Sequence, residues 1–600
     1  VEQVYIDATT MCIADVSDLR DLKTIRSRVE NEGLSFLTIT LPTFSRDFEQ
    51  ALEIGNIDST MFRNFRKIGS IPAFLQGMVS LIFNRETGRF NDDEHEETPT
   101  IIGAIRQICL LFKKVEIPCA PEREAQAFAS YQRIEHEFEQ FSVPERYYAD
   151  FVSVSRVLWD NSMFAISATQ CIPRHGPGAT SEGASGNQKY DWSYWHNRLE
   201  PYFPLIDNAY PLGTPCDSKE LEKVTILSEE DEIPVRVISV PKTLKSPRII
   251  AIEPCCMQYA QQGILRVLLE AIESNDLSAG HVNFTDQSIN QSLALSASST
   301  GQLATIDLSD ASDRVPHDLA MEMFNANPIL KDSIEACRST RAKLPNGTIV
   351  SPLKKFASMG SALCFPVEAM YFYTICVVAL LADRKLPVTR SNVKSVTRDV
   401  YVYGDDIIVP STNAVTVLDY LQKYNCKVNV NKTFVSGNFR ESCGVDAYKG
   451  YEVTPTYIRR ERPTNRQQAD RLISYVATAN LFYKKGYWRT ASFMFKICER
   501  ILGPLPYVSE TSPGLGRISF LGYRTAERWS RKFQCPEVRA WVPRGVNRTD
   551  HLEGYGALMK AFLKLEDLKN LPVSRDALHL ERSALYGAVA LTRRWLPSSL

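Results

Sequence analysis

Asp399-Val-Tyr-Val-Tyr-Gly-Asp-Asp-Ile-Ile-Val-Pro410 sets two short runs of β-branched and aromatic residues, Val400 to Tyr403 and Ile407 to Val409, on either side of a Gly-Asp-Asp that can turn tightly. The pattern predicts a β-hairpin with Asp405 and Asp406 at its tip. Adjacent carboxylates repel, and a chain that holds them together between apolar strands calls for a cation to neutralise them. Hard oxygen donors of this kind suit Mg²⁺ or Mn²⁺. A solitary Gly-Asp-Asp also reads as a solvated turn, so its neighbours have to separate the two.

Upstream, Leu303-Ala-Thr-Ile-Asp307 reads as a strand ending in a carboxylate, followed by Leu308-Ser-Asp-Ala-Ser-Asp313 and a helix that Pro316 opens and that runs to about Phe324. Such a strand brings a distant Asp307 to the metal site of the hairpin, while Asp310 fits a helix or turn cap. Phe356-Ala-Ser-Met-Gly-Ser-Ala-Leu363 is a small-residue loop that lets a ligand backbone or sugar come close. It feeds the apolar run Ala362 to Ala382, nearly long enough to cross a bilayer. Pro366, Glu368 and Thr374 interrupt that run, so a buried helix is expected and no membrane. Downstream, Val415 to Tyr424 reads as helix, Lys427 to Val435 as a strand or turn carrying Lys432, and Phe439 to Gly444 as another tight turn.

Farther out, Ile233 to Ile252 is an extended ribbon bearing Arg236, Lys242, Lys245 and Arg248. Cations at this spacing can present a charged edge to a triphosphate, and an edge strand blunted against aggregation shows the same residues. Cys256 to Ser274 reads as a helix. The Gly- and Pro-rich stretch 171 to 190 is a loop in which Arg174, His175, Gly176 and Gly178 can lie against a phosphate backbone. Near the start, Leu34 to Leu41, closed by Pro42, alternates like a strand. Asn91 to Glu97 is a solvated acidic loop, and Ile101 to Lys114 and Pro121 to Phe138 have helical spacing. Beyond Pro455 the chain turns helical and basic. Arg459, Arg460, Arg462, Arg466, Lys484, Lys485 and Arg489 are interleaved with Tyr457, Phe482, Tyr483, Tyr487 and Trp488, as on a nucleic-acid face.

The chain has 600 residues, 44% of them hydrophobic and 23% charged, enough for a large core and several subdomains. Lys+Arg 69 against Asp+Glu 70 leaves a net charge of -1, so any nucleic-acid surface is local. Fourteen scattered cysteines with no Cys-x-x-Cys pair read as reduced cytosolic thiols without zinc. The start, Val1 to Ala14, has no signal-peptide pattern.

Asp286-Gln-Ser-Ile-Asn-Gln291, Leu303 to Asp313, Ser358-Met-Gly360, Tyr403-Gly-Asp-Asp-Ile-Ile408 and Lys432-Thr-Phe-Val-Ser-Gly-Asn-Phe-Arg-Glu-Ser-Cys-Gly444 together resemble the replicase subunit of single-stranded RNA bacteriophages, the levivirus group. The resemblance covers about 235 to 460. It implies an α+β right-hand polymerase with fingers, a palm of antiparallel sheet flanked by helices, and a thumb. The implied regions are 1–234 (N-terminal region and outer fingers), 235–300 (inner fingers with the basic ribbon), 301–455 (catalytic palm) and 456–600 (thumb and C-terminal helical region). It implies RNA-directed RNA polymerase activity, with two Mg²⁺ ions, or Mn²⁺, on Asp307 and Asp405 and Asp406 in support.

The same resemblance makes Lys432 the proton donor to pyrophosphate. On this reading Lys242, Lys245 and Arg248, with Arg236, are expected to hold the triphosphate, Asp313, Ser358, Gly360 and Ser361 to read the ribose, and Arg174, His175, Arg459, Arg460 and Arg462 to contact RNA. Family members commonly carry Asn where this chain has Ser361, and Ser still hydrogen-bonds. Asp313 follows Asp307 by six residues, whereas many viral polymerases use five, which here falls on Ser312. Implied partners are a single-stranded RNA template, NTPs, and host elongation factors Tu and Ts with ribosomal protein S1, in the cytoplasm of an infected bacterium. A reverse transcriptase shares the carboxylates, but Gly404 before the Asp pair and the replicase-like flanks disfavour it. A non-catalytic RNA-binding protein on a decayed palm would not need Asp307, Asp405, Asp406 and Lys432 together, and a nucleotide cyclase would not need the basic aromatic C-terminal region.

Overall fold

The computed structural model describes residues 1–12, 16–92, 95–522, 527–545, 551–568 and 589–597. The elements used below are, in chain order, α1 (Leu41–Ile54), α2 (Thr98–Leu110), α3 (Pro121–Gln140), β1 (Val235–Val240), β2 (Arg248–Ile252), α4 (Cys255–Ser274), β3 (Leu303–Ile306), α5 (Cys364–Asp383), β4 (Tyr401–Tyr403), β5 (Asp406–Pro410), α6 (Ala414–Lys423), β6 (Phe439–Ser442), β7 (Val445–Tyr448), α7 (Ala469–Lys484), α8 (Trp488–Leu502), β8 (Cys535–Gly545) and β9 (Val589–Pro597). The architecture is α+β, as expected.

β5 is the middle strand of an antiparallel sheet of order β4-β5-β3, with Tyr403 opposite Asp406 and Ile407 opposite Ile306. Val402, Ile306, Ile407 and Val409 are buried, which fixes the register because a one-residue slip would turn these side chains to the wrong face. α5 packs on β4 and α6 and is buried along nearly its whole length, so the apolar run is a core helix. Its polar interruption is satisfied. Thr374 Oγ1 donates to Met370 O and accepts from the Trp159 indole at 2.9 Å.

Two cores hold the chain together. One joins α5, α6, α4 and the central sheet. The other joins the first 111 residues to Phe434, Phe439, Tyr448 and the helices α7 and α8, so both ends of the sequence share it.

Three expectations are corrected. Leu34 to Pro42 is helical, with a π-turn at Phe36–Thr40 running directly into α1. Phe36, Leu41, Phe44 and Phe48 are buried together, and Phe44 packs its ring on Phe62, Phe65 and Phe74, so tertiary burial outweighs β-branching. Pro42 sits in the first turn, where a missing N–H costs nothing. Phe439 to Gly444 is more than a turn, since β6 pairs with β7 around Cys443 and Gly444, both at positive φ. The C-terminal region is not all helical: residues 455–468 are irregular, and β8 pairs with β9 across nine positions. Ile13 and Ala14 of the first segment, Asp93 and Glu94 of the acidic loop, and residues 523–526, 546–550, 569–588 and 598–600 of the C-terminal region lie outside the described residues.

Arg106 on α2 fastens the second core to the sheet region. Its guanidinium, 3% exposed, pairs with Glu49 of α1 and Asp446 of β7 and stacks 4.8 Å over the Phe439 ring. Removing one member of such a buried group strands the others. Arg106→Met is therefore expected to lower unfolding stability by about 3–5 kcal/mol, read from the shift of a denaturant midpoint. A shift of less than about 1 kcal/mol, the scale of an exposed pair, would show that the ion group does not hold the two regions together.

Candidate active site

The pairing of Tyr403 with Asp406 leaves Gly404 and Asp405 as the hairpin loop, so Asp405 occupies the turn and Asp406 opens the returning strand. Gly404 has φ +62°, and a Cβ there would lie 2.2 Å from Cε2 of Phe365. Only glycine meets both demands. One step beyond the Ile407–Ile306 pair the register sets Asp406 beside Asp307, the first residue after β3. Asp307 is fixed by Asn429, whose Nδ2 donates to Oδ2 at 2.6 Å and whose backbone N–H donates to the Asp307 carbonyl.

Burial pushes the Asp307 carboxyl up to about 6, with Lys432 opposing and Asp405 and Glu441 adding. Burial, then Asp405, then Asp307, pushes Asp406 up to about 7. Lys432 answers this negative field. Its Nζ lies 3.0 Å from Glu441 and 3.7 Å from Asp307, and although burial works against its charge, Glu441 and Asp307 raise its pKa. Glu441, on β6, stands in the quoted motif but carried no assigned role. Its only sequence signal was its place nine residues after Lys432. Glu368 on α5 is the other omission. It is a buried acid raised well above the usual range by burial, then by Asp405 and Asp313. A lone acid inside an apolar helix was the signal.

Among the described residues no three His, Cys, Asp or Glu side chains are drawn together tightly enough to ligate an ion by themselves. The donor chemistry nonetheless fits a hard divalent cation. Asp307, Asp405 and Asp406 repel one another, and Mg²⁺ characteristically takes one or two carboxylates and completes its shell with water and substrate phosphates.

The basic ribbon is the hairpin β1–β2, with Lys242 and Lys245 in the connecting loop and Arg248 opening the return strand. Lys242 feels the charges of Asp405 and Asp307. Burial, then Arg248 and Lys432, holds its pKa below the usual lysine value. Lys245 faces elsewhere, with Arg46, Arg123 and Lys113 lowering it in addition to burial. Arg236 Nη2 donates to the Thr180 carbonyl at 3.4 Å and so fastens the 171–190 loop.

Asp313 pairs at 2.9 Å with Lys355, which has no exposed surface, lies 3.3 Å from Glu135 of α3, and sits 3.5 Å from the ring centroid of Tyr131. Tyr131 Oη shares a hydrogen bond with Ser358 Oγ at 3.1 Å. Gly360, at φ +130°, lies so close to β2 that a Cβ would meet Ala251 O at 2.0 Å, and Ser361 Oγ donates to Gln261 Oε1 at 3.2 Å.

His175 turns inward. Its ring packs on Tyr190, Trp192 and Tyr259, its nitrogens have no hydrogen-bond partner among the described residues, and burial, with Lys189 adding, pushes it down to about 3. A neutral ring packed in this way does not face a phosphate. Its neighbour Arg174 is half-buried, with its backbone N–H donating to Tyr259 O. Arg459 and Arg462 are exposed on the irregular segment 455–468, while Arg460 pairs with Glu116 at 3.1 Å.

Residues 216–468 match the family model described as RNA replicase, beta-chain. The RNA-directed RNA polymerase subunit beta of Enterobacteria phage SP is 31% identical over 355 residues, 57% of this chain and 56% of that one. The same subunit of Qbeta virus (strain MX1) is 37% identical over 224 residues, 37% of this chain and 35% of that one. The matches thus span between about a third and just over half of the relatives' lengths. Among solved structures, the RNA-dependent RNA polymerase from bacteriophage phi12 aligns with a TM-score of 0.36 and 10% identity, covering 78% of this chain and 76% of that one.

Carboxylates must shed protons to hold a cation, so Mn²⁺ affinity should rise with pH through the range set by Asp307 at about 6 and Asp406 at about 7. Titration followed by electron paramagnetic resonance is expected to show roughly tenfold or greater weakening between about pH 7.5 and about pH 5.5. Equal affinity at the two values would contradict the crowded-carboxylate description.

Proposed function

We propose that the chain is a template-directed RNA polymerase that copies single-stranded RNA by joining NTPs and releasing pyrophosphate. The observation that carries this is the convergence of Asp307, Asp405 and Asp406 with Lys432 and the Lys242–Arg248 loop in one electrostatic neighbourhood. The match of residues 216–468 to the replicase beta-chain model supports the same reading. In this reading residues 1–234 form the outer fingers, 235–300 the inner fingers, 301–455 the palm and 456–600 the thumb. The enzyme works in the cytoplasm of an infected bacterium, with elongation factors Tu and Ts and ribosomal protein S1 as host partners.

Asp307 and Asp405 would hold two Mg²⁺ ions, with Asp406 in support. Bound there, the ions supply activation of the primer 3′-hydroxyl and neutralisation of the triphosphate. Lys242 and Arg248 orient the triphosphate. Lys432, kept protonated by Glu441, donates a proton to the departing pyrophosphate. Asp313, held by Lys355, and the Ser358–Ser361 loop meet the 2′-hydroxyl of the incoming ribose. Exposed Arg459 and Arg462 offer contacts to template phosphates.

The test is incorporation of labelled NTPs on an RNA template, with and without bacterial extract. Asp405→Asn is expected to abolish synthesis, and Lys432→Ala to slow it by about 10²-fold or more. An Asp405→Asn variant as active as the parent would overturn the assignment. A second measurement addresses the sugar. Asp313→Asn should erode the preference for NTP over dNTP by about tenfold or more, and an unchanged preference would remove Asp313 from ribose recognition.

A further inference from the structure

α1 belongs to the N-terminal helical region, yet two of its side chains, three residues apart, grip the segment that carries Lys432. Gln50 Nε2 donates to Asn431 Oδ1 at 2.6 Å. Glu53 takes four hydrogen bonds. Its Oε1 accepts from Val435 N at 2.8 Å, Ser436 N at 2.7 Å and Ser436 Oγ at 3.0 Å, and its Oε2 accepts from Gly437 N at 3.0 Å. Three successive N–H groups converging on one point make a concavity for an anion, and here the anion is a carboxylate of the same chain. The approach requires glycine, because a Cβ at Gly437 would lie 2.8 Å from Glu53 Oε2 and 2.9 Å from Leu52 O.

The carbonyls of the same segment are satisfied from the opposite side. Arg440 has no exposed surface, and its guanidinium donates to the carbonyls of Val435, Gly437 and Phe439 and also to Leu303 O at the start of β3. Phe434 exchanges two backbone hydrogen bonds with Thr305 of β3. Residues 431–440 are therefore framed by β3 on one side and by α1 on the other. Lys432 lies near the open end of this frame. Upstream, Asn429 is tied to Asp307 and accepts the Lys432 N–H, while Val430 is 74% exposed, so the frame supplies the downstream half of the hold on the Lys432 ammonium beside Asp307 and Glu441.

We propose that Glu53, assisted by Gln50, is a positioning residue for the polymerase reaction: it clamps the 435–437 amides and thereby holds the Lys432 ammonium where the pyrophosphate departs. The inference rests on the polymerase reading above. It makes the N-terminal helical region part of the chemical step, through hydrogen bonds to charged oxygen that are stronger than neutral ones. A Gln at this position could keep only its carbonyl oxygen as an uncharged acceptor for Val435 and Ser436, while its amide N–H₂ would face the Gly437 N–H, so the clamp is weakened and one of its bonds is lost.

The experiment uses the full chain with Glu53→Gln, Lys432→Ala and the double variant, and also Gln50→Ala, which removes an exposed hydrogen bond and leaves the core intact. Hydrogen exchange at Val435–Gly437 reads the clamp independently of activity. It is expected to accelerate in Glu53→Gln while the buried α7 amides stay protected. In steady-state RNA synthesis Glu53→Gln should lower kcat about tenfold with NTP KM changed by less than about twofold. Gln50→Ala should act in the same direction more weakly. In the Lys432→Ala background Glu53→Gln should cost less than about twofold more, the non-additivity expected of residues acting as one unit. An equal loss in both backgrounds would reduce Glu53 to a structural support. Unchanged kcat with faster exchange at 435–437 would show that the clamp does not serve Lys432. A parent chain that makes no RNA even with bacterial extract would overturn the polymerase reading and this role with it, and the exchange data would then report on the clamp alone.

Discussion

Like charges held in a poorly solvated place must be offset, and the offsetting groups explain the layout around the central sheet. Antiparallel register brings Asp406 beside Asp307, and the tight Gly404 turn adds Asp405. Burial and mutual repulsion then make full ionisation costly, as the upward displacement of Asp307 and Asp406 records. Lys432 and Lys242 approach from two other segments, and Asn429 fixes Asp307 by hydrogen bonding. What remains uncompensated suits a hard cation.

Precision at such a site depends on what lies behind it. α5 supplies an apolar floor, with Phe365 set against Gly404. α3 closes another side, where Lys355 is held among Asp313, Glu135 and Tyr131. The N-terminal helices, which share a core with α7 and α8, reach the sheet through Arg106 and through the Glu53 contacts to residues 435–437. Both ends of the chain therefore brace the centre, and the grouping of residues into cores crosses the boundaries that a linear reading draws.

Local chemistry was legible. The β4–β5 hairpin follows from β-branched runs around a glycine turn, Asp307 from its place at the end of a short strand, and α3 from Pro121 at a first helical position. The rest depended on partners remote in sequence. Leu34 to Pro42 has strand-like alternation, but Phe36 and Phe44 are needed in an aromatic cluster that only a helix presents. His175 resembles a phosphate ligand until Tyr190, Trp192 and Tyr259 surround it. Glu53 and Asp313 carry no mark of what they bind, because Gly437 lies 384 residues from the first and Lys355 lies 42 from the second. The β8–β9 pair was hidden in a basic run whose strand partner is distant in the chain.

A divalent cation shared by Asp307, just beyond β3, and the β4–β5 turn is read most directly by iron-mediated cleavage. Bound Fe²⁺, used in place of Mg²⁺ with ascorbate and peroxide, cuts the backbone nearest to it, and the fragments identify where it sits. A shared ion is expected to give cleavage at both 305–308 and 404–407, suppressed together by excess Mg²⁺ and by Asp405→Asn. Cleavage at only one of these segments, or at both but undiminished in the variant, would contradict a shared ion.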